Sequence, residues 1–294
     1  KGKAGVRRRI GIAGLRMRDG VEVQRRPGRK PEVDDLADPE VMAIMSRGYD
    51  GLREGIRDGS RRHVDQDADG IAAEFLYPGF FGLFSFENTE LLVACQKNYN
   101  DWLLDYTKNS DSRLFGLAAI PMQDPVVARE ELNRVIKNGF RGGCIPCTSP
   151  AGAPYHDPCY ESVWTLAEEA NFPLSMHVGT NAYLPPEFRP NKATRDPIAD
   201  YANTQSTIQR TLTDLMCRGV ATKHPDLKFV VAEFNGGWIG HWLDRIDQGL
   251  QREYRFRSDE YTGELPQDVW SRQFYATIED DRPAVLTREL IGID

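Results

Sequence analysis

The chain has 294 residues, 40% of them hydrophobic, and a formal net charge of −7. That is enough apolar surface for a substantial core, and the negative balance argues against a general polyanion binder. Without an 18-residue apolar run or a leader pattern, a soluble cytoplasmic protein with no membrane partner is expected. Five scattered cysteines (Cys95, Cys144, Cys147, Cys159 and Cys217) suit reduced thiols better than a disulfide framework.

Residues 1–31 carry eleven lysines and arginines against the two acids Asp19 and Glu22. No aromatic is interleaved with these charges and no nucleic-acid motif follows, so a solvated arm or insertion is expected, not a nucleic-acid partner. Residues 38–57 read as a helix, with Asp38 as cap and Pro39 in the first turn. A charged connection, 58–69, leads into the body of the chain. The expected organisation is a basic arm and lead-in helix over 1–60 and a single barrel-like domain over 61–294.

From there strand and helix patterns alternate. Strands are expected at 71–78, 114–121, 142–148, 173–178, 227–234 and 274–279. Helices are expected at 89–107, 125–138, 157–171, 198–218, 238–251 and 283–291, with a polar loop at 180–196. The strands are nearly continuous apolar runs, as when both faces of a parallel sheet are covered. No glycine-rich phosphate motif follows any of them, which weakens a dinucleotide-binding reading and favours a βα barrel. Six strands do not close an eight-stranded barrel.

In such a barrel the carboxyl ends of the strands floor the active site. His177 ends the stretch PLSMHVGT, where Leu174, Met176 and Val178 form one side of a buried strand. Glu233 ends LKFVVAEF, and a carboxylate among apolar neighbours is costly unless paired, hydrogen-bonded or metal-bound. A third strand end carries Glu279, Asp280 and Asp281. The loop GFFGLFSFEN places Phe80, Phe81 and Phe84 beside Tyr77, an apolar wall for an aromatic ligand or plain packing; Asn235 is within reach of the same mouth. Cys144 and Cys147 form a C-x-x-C in a strand-like segment with no second pair at zinc-ribbon spacing.

The stretches DADGIAAEFLYP, YNDWLLDY, SRLFGLAAIPMQDP, NGFRGGCIP, DPCYESVWTLAEEANFPLSMHVGT, HPDLKFVVAEFNGGW and ELIGID together resemble the amidohydrolase-related family. That group includes aminocarboxymuconate-semialdehyde decarboxylase and related aromatic-acid decarboxylases and hydrolases. The resemblance implies a (β/α)8 TIM barrel holding one divalent metal, zinc or manganese. The family's ligands are an [HDE]-x-H pair on strand 1, a histidine on strand 5 and an aspartate on strand 8. His177 matches the strand-5 metal histidine. Glu233 stands at the strand-6 position where many members have a catalytic histidine, and a carboxylate there suits a general base or a water-holding group. Neither the [HDE]-x-H pair nor the strand-8 motif is present, and Asp294 matches the turn before strand 8. The resemblance therefore implies a chain truncated at both ends, without strands 1 and 8, in which the basic segment is the insertion after strand 1.

The expected activity is decarboxylation or hydrolysis of an aromatic or muconate-like carboxylic acid, by a protein that could form a homodimer. Amide, lactone or ester hydrolysis on the same barrel is an open alternative. So is a metal-free barrel that binds small molecules without catalysis.

Overall fold

Short β-rich segments separated by amphipathic helices fold into a parallel wall. The strands are β1 Glu74–Leu76, β2 Leu114–Gly116, β3 Ala118–Ala119, β4 Gly143–Ile145, β5 Leu174–His177, β6 Phe229–Ala232 and β7 Phe274–Ala276. The computed structural model describes residues 43, 46–78, 81–108, 110, 113–185, 196–257 and 264–292. The chain divides into two units, Lys1–Asp58 and Gly59–Asp294.

In the first unit, the basic segment 1–31 lies outside the described residues. The helix expected over 38–57 is interrupted where it is described. A 3-10 turn, Gly48–Gly51, is followed by a short helix, Glu54–Arg57. Gly48 takes a left-handed φ of +55°, which an α-helix cannot accommodate.

In the second unit every strand pairing is parallel: β1 with β2, and β3 through β7 in sequence order. β2 and β3 are halves of the one strand expected over 114–121. The division falls at Leu117, whose N–H donates to Leu76 O at 3.0 Å, while Ala118 N–H donates to Gly142 O at 3.1 Å. The chain thus passes from its neighbour on one side to its neighbour on the other within two residues. With β2 and β3 counted as one strand, each strand lies beside the next in sequence, the order of a barrel wall.

Side chains alternate across this wall. Leu174 and Met176 of β5, Phe229 and Val231 of β6, and Phe274 of β7 pack in the large core beneath the helices. The opposite face carries Ala119, Cys144, Ser175, His177, Ala232 and Tyr275, in register across the strands. A smaller cluster of Leu83, Phe84, Ala119 and Cys144, with Tyr77 packed against it, occupies that face. In the large core Phe229 is wholly buried, 5.4 Å from the Phe274 ring and 6.1 Å from Trp164.

The principal helices are α1 Arg62–Asp69, α2 Thr89–Lys108, α3 Pro125–Lys137, α4 Glu161–Glu169, α5 Thr204–Cys217, α6 Ile239–Arg257, α7 Pro266–Gln273 and α8 Arg282–Leu286. Asp124 caps α3, accepting from Val126 and Val127 N–H, with Pro125 in the first turn. Three expectations change. The connection over 58–69 contains α1, a mostly polar helix tied down by Arg62 Nε donating to Glu74 Oε2 at 2.7 Å and stopped by Gly70 at φ +68°. The helix expected over 198–218 is two helices, because the chain leaves helical geometry at Asn203. α7 adds a helix where none was expected; it buries Val269, Trp270 and Gln273.

Candidate functional site

β5 and β6 end side by side, with His177 registered against Ala232. One residue further on, Glu233 takes a left-handed φ of +63° and stops β6 short of the expected residue 234. Its Oε2 comes within 3.1 Å of His177 Nε2. The imidazole is largely buried and the carboxylate about two-thirds so, at 14% and 31% exposed. On the other side of the ring, Nδ1 lies 2.8 Å from Val178 O. A carbonyl oxygen only accepts, so Nδ1 carries a hydrogen and Nε2 is the nitrogen turned to the carboxylate. The imidazole is thus anchored on one side by a backbone carbonyl and faces a carboxylate on the other.

The third strand end adds Glu279. Its carboxyl is raised above the ordinary carboxylate range, first by burial, then by the charge of Glu233 and a hydrogen bond to it; His177 acts the other way. His177, Glu233 and Glu279 thus lie together across the ends of β5, β6 and β7. A carboxyl raised by burial and by a neighbouring carboxylate is a candidate for acid–base chemistry.

The loops after β6 and β7 are stitched together. Glu233 N–H donates to Thr277 Oγ1 at 2.8 Å, and Glu279 N–H donates to Asn235 Oδ1 at 3.0 Å. Asp281 accepts from Gly236 and Gly237 N–H at 2.7 Å each through Oδ2, and from Ala284 N–H at 3.0 Å through Oδ1. Burial alone would raise the Asp281 carboxyl, but the three backbone donors hold it below the ordinary range. The three acids expected together at 279–281 therefore separate: Glu279 joins the site, and Asp281 is a structural clamp and the cap of α8.

The remaining expected residues fall as follows. The Tyr77 ring lies 5.0 Å from that of His177, and its hydroxyl donates to Ser175 Oγ at 3.3 Å. Burial raises the phenol and the Ser175 bond opposes it. Phe84 is wholly buried in the small cluster. Phe80 lies outside the described residues; Phe81 begins a 3-10 turn, Phe81–Phe84. Asn235 uses its side-chain oxygen on Glu279 N–H. Thr277 is the site group that sequence reasoning did not single out, and Glu279 is expected from it only as one of three acids at that strand end. The signal for Thr277 is the alternation of polar residues along Thr277-Ile278-Glu279 just beyond a strand.

Cys144 and Cys147 are both buried, and desolvation is the main cause of their raised thiols, that of Cys147 pushed up to about 12. Thiols so far from ionisation are poor nucleophiles and poor metal ligands. Among the described residues no three His, Cys, Asp or Glu side chains form a group able to hold a metal ion. His177 fits one ligand position, with Nδ1 anchored on a backbone carbonyl as metal-bound imidazoles usually are. A complete site does not follow from it.

A parallel βα wall with ionisable side chains gathered at its carboxyl ends has the layout of a barrel enzyme. Residues 30–286 match the amidohydrolase family, and the chain belongs to it. It is 27% identical over 188 residues to a γ-resorcylate decarboxylase of Rhizobium sp. (strain MTP-10005), covering 62% of this chain and 56% of that one. It is 30% identical over 171 residues to the γ-resorcylate decarboxylase of Rhodococcus jostii (strain RHA1), covering 54% and 50%. The chain spans about half the length of these curated relatives. Among solved structures it resembles 5-carboxyvanillate decarboxylase of Novosphingobium aromaticivorans, which holds manganese and 3-methoxy-4-hydroxy-5-nitrobenzoic acid. The TM-score is 0.66 at 20% identity, covering 86% of this chain and 72% of that one. The wall described above has the fold of the family's (β/α)8 barrel.

Proposed function

We propose that the protein is a carboxy-lyase acting on a hydroxylated aromatic carboxylic acid, with the strand ends of β5, β6 and β7 as its acid–base centre. The observation that carries this reading is the contact of His177 Nε2 with Glu233 Oε2, extended to Glu279. The aromatic acids named for the relatives support the substrate class.

In decarboxylation a proton is added to the ring carbon that bears the carboxylate. The carbon–carbon bond then breaks, its electron pair stays with the ring, and carbon dioxide leaves. The residues of this chain suit the proton steps. Glu233 delivers the proton, His177 holds it in place, and Glu279, hydrogen-bonded to Glu233, replaces it. Tyr77 supplies the apolar side of the binding site, and Asn235 belongs to its rim. The manganese of the Novosphingobium neighbour supports a divalent metal, manganese or zinc, as cofactor. A divalent ion there would polarise the substrate's carboxylate and phenol oxygens. His177 is the residue suited to hold it.

The five free cysteines support a reducing, cytoplasmic setting. Among the described residues no helix is long and apolar enough to cross a membrane.

The test is turnover of γ-resorcylate by the manganese-supplemented protein, followed by release of carbon dioxide and of 1,3-dihydroxybenzene. No carbon dioxide release from γ-resorcylate, together with hydrolysis of an aromatic ester, lactone or amide by the same protein, would replace this reading by hydrolysis.

A further inference from the structure

The two carboxylates of the site are held by a reciprocal pair of bonds. The backbone N–H of Glu233 is pinned by the side chain of Thr277, and the backbone N–H of Glu279 by the side chain of Asn235. Each acid is thus anchored by a polar side chain two residues from the other acid, across the gap between β6 and β7. We propose that Thr277 and Asn235 are positioning residues, which set the spacing of the Glu233 and Glu279 carboxyl groups and hold Glu233 against His177. This rests on the functional reading above only in what the positioned acids do.

Three observations support the assignment. First, the ladder between β6 and β7 continues through Thr277 N–H to Val231 O at 3.0 Å, so Thr277 is fixed by its backbone before its side chain acts. Its hydroxyl then receives Glu233 N–H at the residue where β6 stops. Second, Glu233 and Asn235 both occupy left-handed backbone, at φ +63° and +57°. Non-glycine residues keep such a conformation only where their surroundings over-determine it. The two side-chain bonds and the Asp281 clamp on Gly236 and Gly237 supply that constraint. Third, neither Thr277 nor Asn235 is required by the core: Thr277 is exposed and Asn235 half-buried. A packing role does not account for their polar groups, whereas a role in placing the acids does.

Two variants at Thr277 separate the roles of its hydroxyl and its bulk. Thr277→Val keeps the shape and removes the acceptor; Thr277→Ser keeps the acceptor. Asn235→Gly keeps the left-handed backbone and removes the other acceptor, while Asn235→Asp keeps an acceptor oxygen. With γ-resorcylate as probe, Thr277→Val and Asn235→Gly are expected to lower kcat by about 10- to 100-fold, the scale of a small misplacement of catalytic groups. KM should change by less than about two-fold, as for interactions realised at the transition state. Thr277→Ser and Asn235→Asp should recover most of the loss.

The independent readout is a crystal structure of each variant. In Thr277→Val, Glu233 should leave left-handed φ and its carboxylate should move beyond hydrogen-bond reach of His177 Nε2. A Thr277→Val structure that retains the 3.1 Å contact would overturn the proposal. So would Thr277→Ser losing the contact along with Thr277→Val. Should the unaltered protein leave γ-resorcylate untouched, the substrate reading fails, and the crystal structures still decide the positioning role.

Discussion

Glu233 Oε2 reaches His177 Nε2 at 3.1 Å, although the strand register pairs His177 with Ala232. Successive strand residues face opposite sides, so a straight continuation of β6 would point position 233 toward the helices. The left-handed backbone at Glu233 ends the strand and brings the carboxylate round to the imidazole. Such a conformation costs about 1–2 kcal/mol for a non-glycine residue. The contact is therefore made against local preference.

Asp281 should contribute stability through its three backbone donors. Its folded carboxyl lies below the ordinary 3.8, so its contribution is present above that value and lost as pH falls through the lower, folded one. Asp281→Ala leaves the Gly236, Gly237 and Ala284 N–H groups without their acceptor and is expected to cost about 1–3 kcal/mol at pH 7. Urea unfolding at pH 7 checks this, and the difference from the unaltered protein should shrink at pH 3. A gap of equal size at both pH values would contradict the account.

Glu279 should behave in the opposite sense. Its carboxyl is raised above the ordinary 4.5, so it favours the folded state at pH below that value. The benefit is lost as pH rises through the folded value, and at neutral pH ionised Glu279 beside Glu233 is a liability. Glu279→Gln is therefore expected to raise Tm at pH 7 while lowering kcat at least ten-fold, because removing a proton carrier slows the chemistry. Calorimetry alongside turnover checks both halves; a variant that loses Tm would show that Glu279 is held for structure.

The thiols should react in order of exposure. Cys159 is exposed, whereas Cys144 and Cys147 are buried. With an aromatic disulfide reagent, Cys159 of the native protein should label first. Cys144 and Cys147 should wait for denaturant, as buried and protonated thiols do. Rapid native labelling of Cys147, read by peptide mass, would contradict the burial described above.

Much of this architecture was legible in the sequence because it depends on alternation. Leu174 and Met176 on one side of a short run, with Ser175 and His177 on the other, are what a strand between helices and a polar mouth requires. Other features depend on partners that are distant in sequence. α1 has few apolar residues and is held by the pair Arg62–Glu74, so hydrophobic spacing alone does not reveal it. α7 carried readable signals, a proline in its first turn and Val269, Trp270 and Gln273 on a common buried side. The division of the 114–121 strand at Leu117 follows from the two sheets that it joins. Of the acids at 279–281, the sequence shows three carboxylates alike; only the Gly236 and Gly237 N–H groups assign Asp281 to the clamp and leave Glu279 to the site.

The proposed role of the contact between Glu233 and His177 is catalytic. The most direct measurement is the rate of carbon dioxide release from γ-resorcylate by the manganese-supplemented protein and by Glu233→Gln, with folding followed by circular dichroism. Glu233→Gln is expected to fold like its parent and to turn over about 10²- to 10⁴-fold more slowly, the range for loss of a general acid or base. A folded Glu233→Gln protein with the parent's turnover would contradict that role.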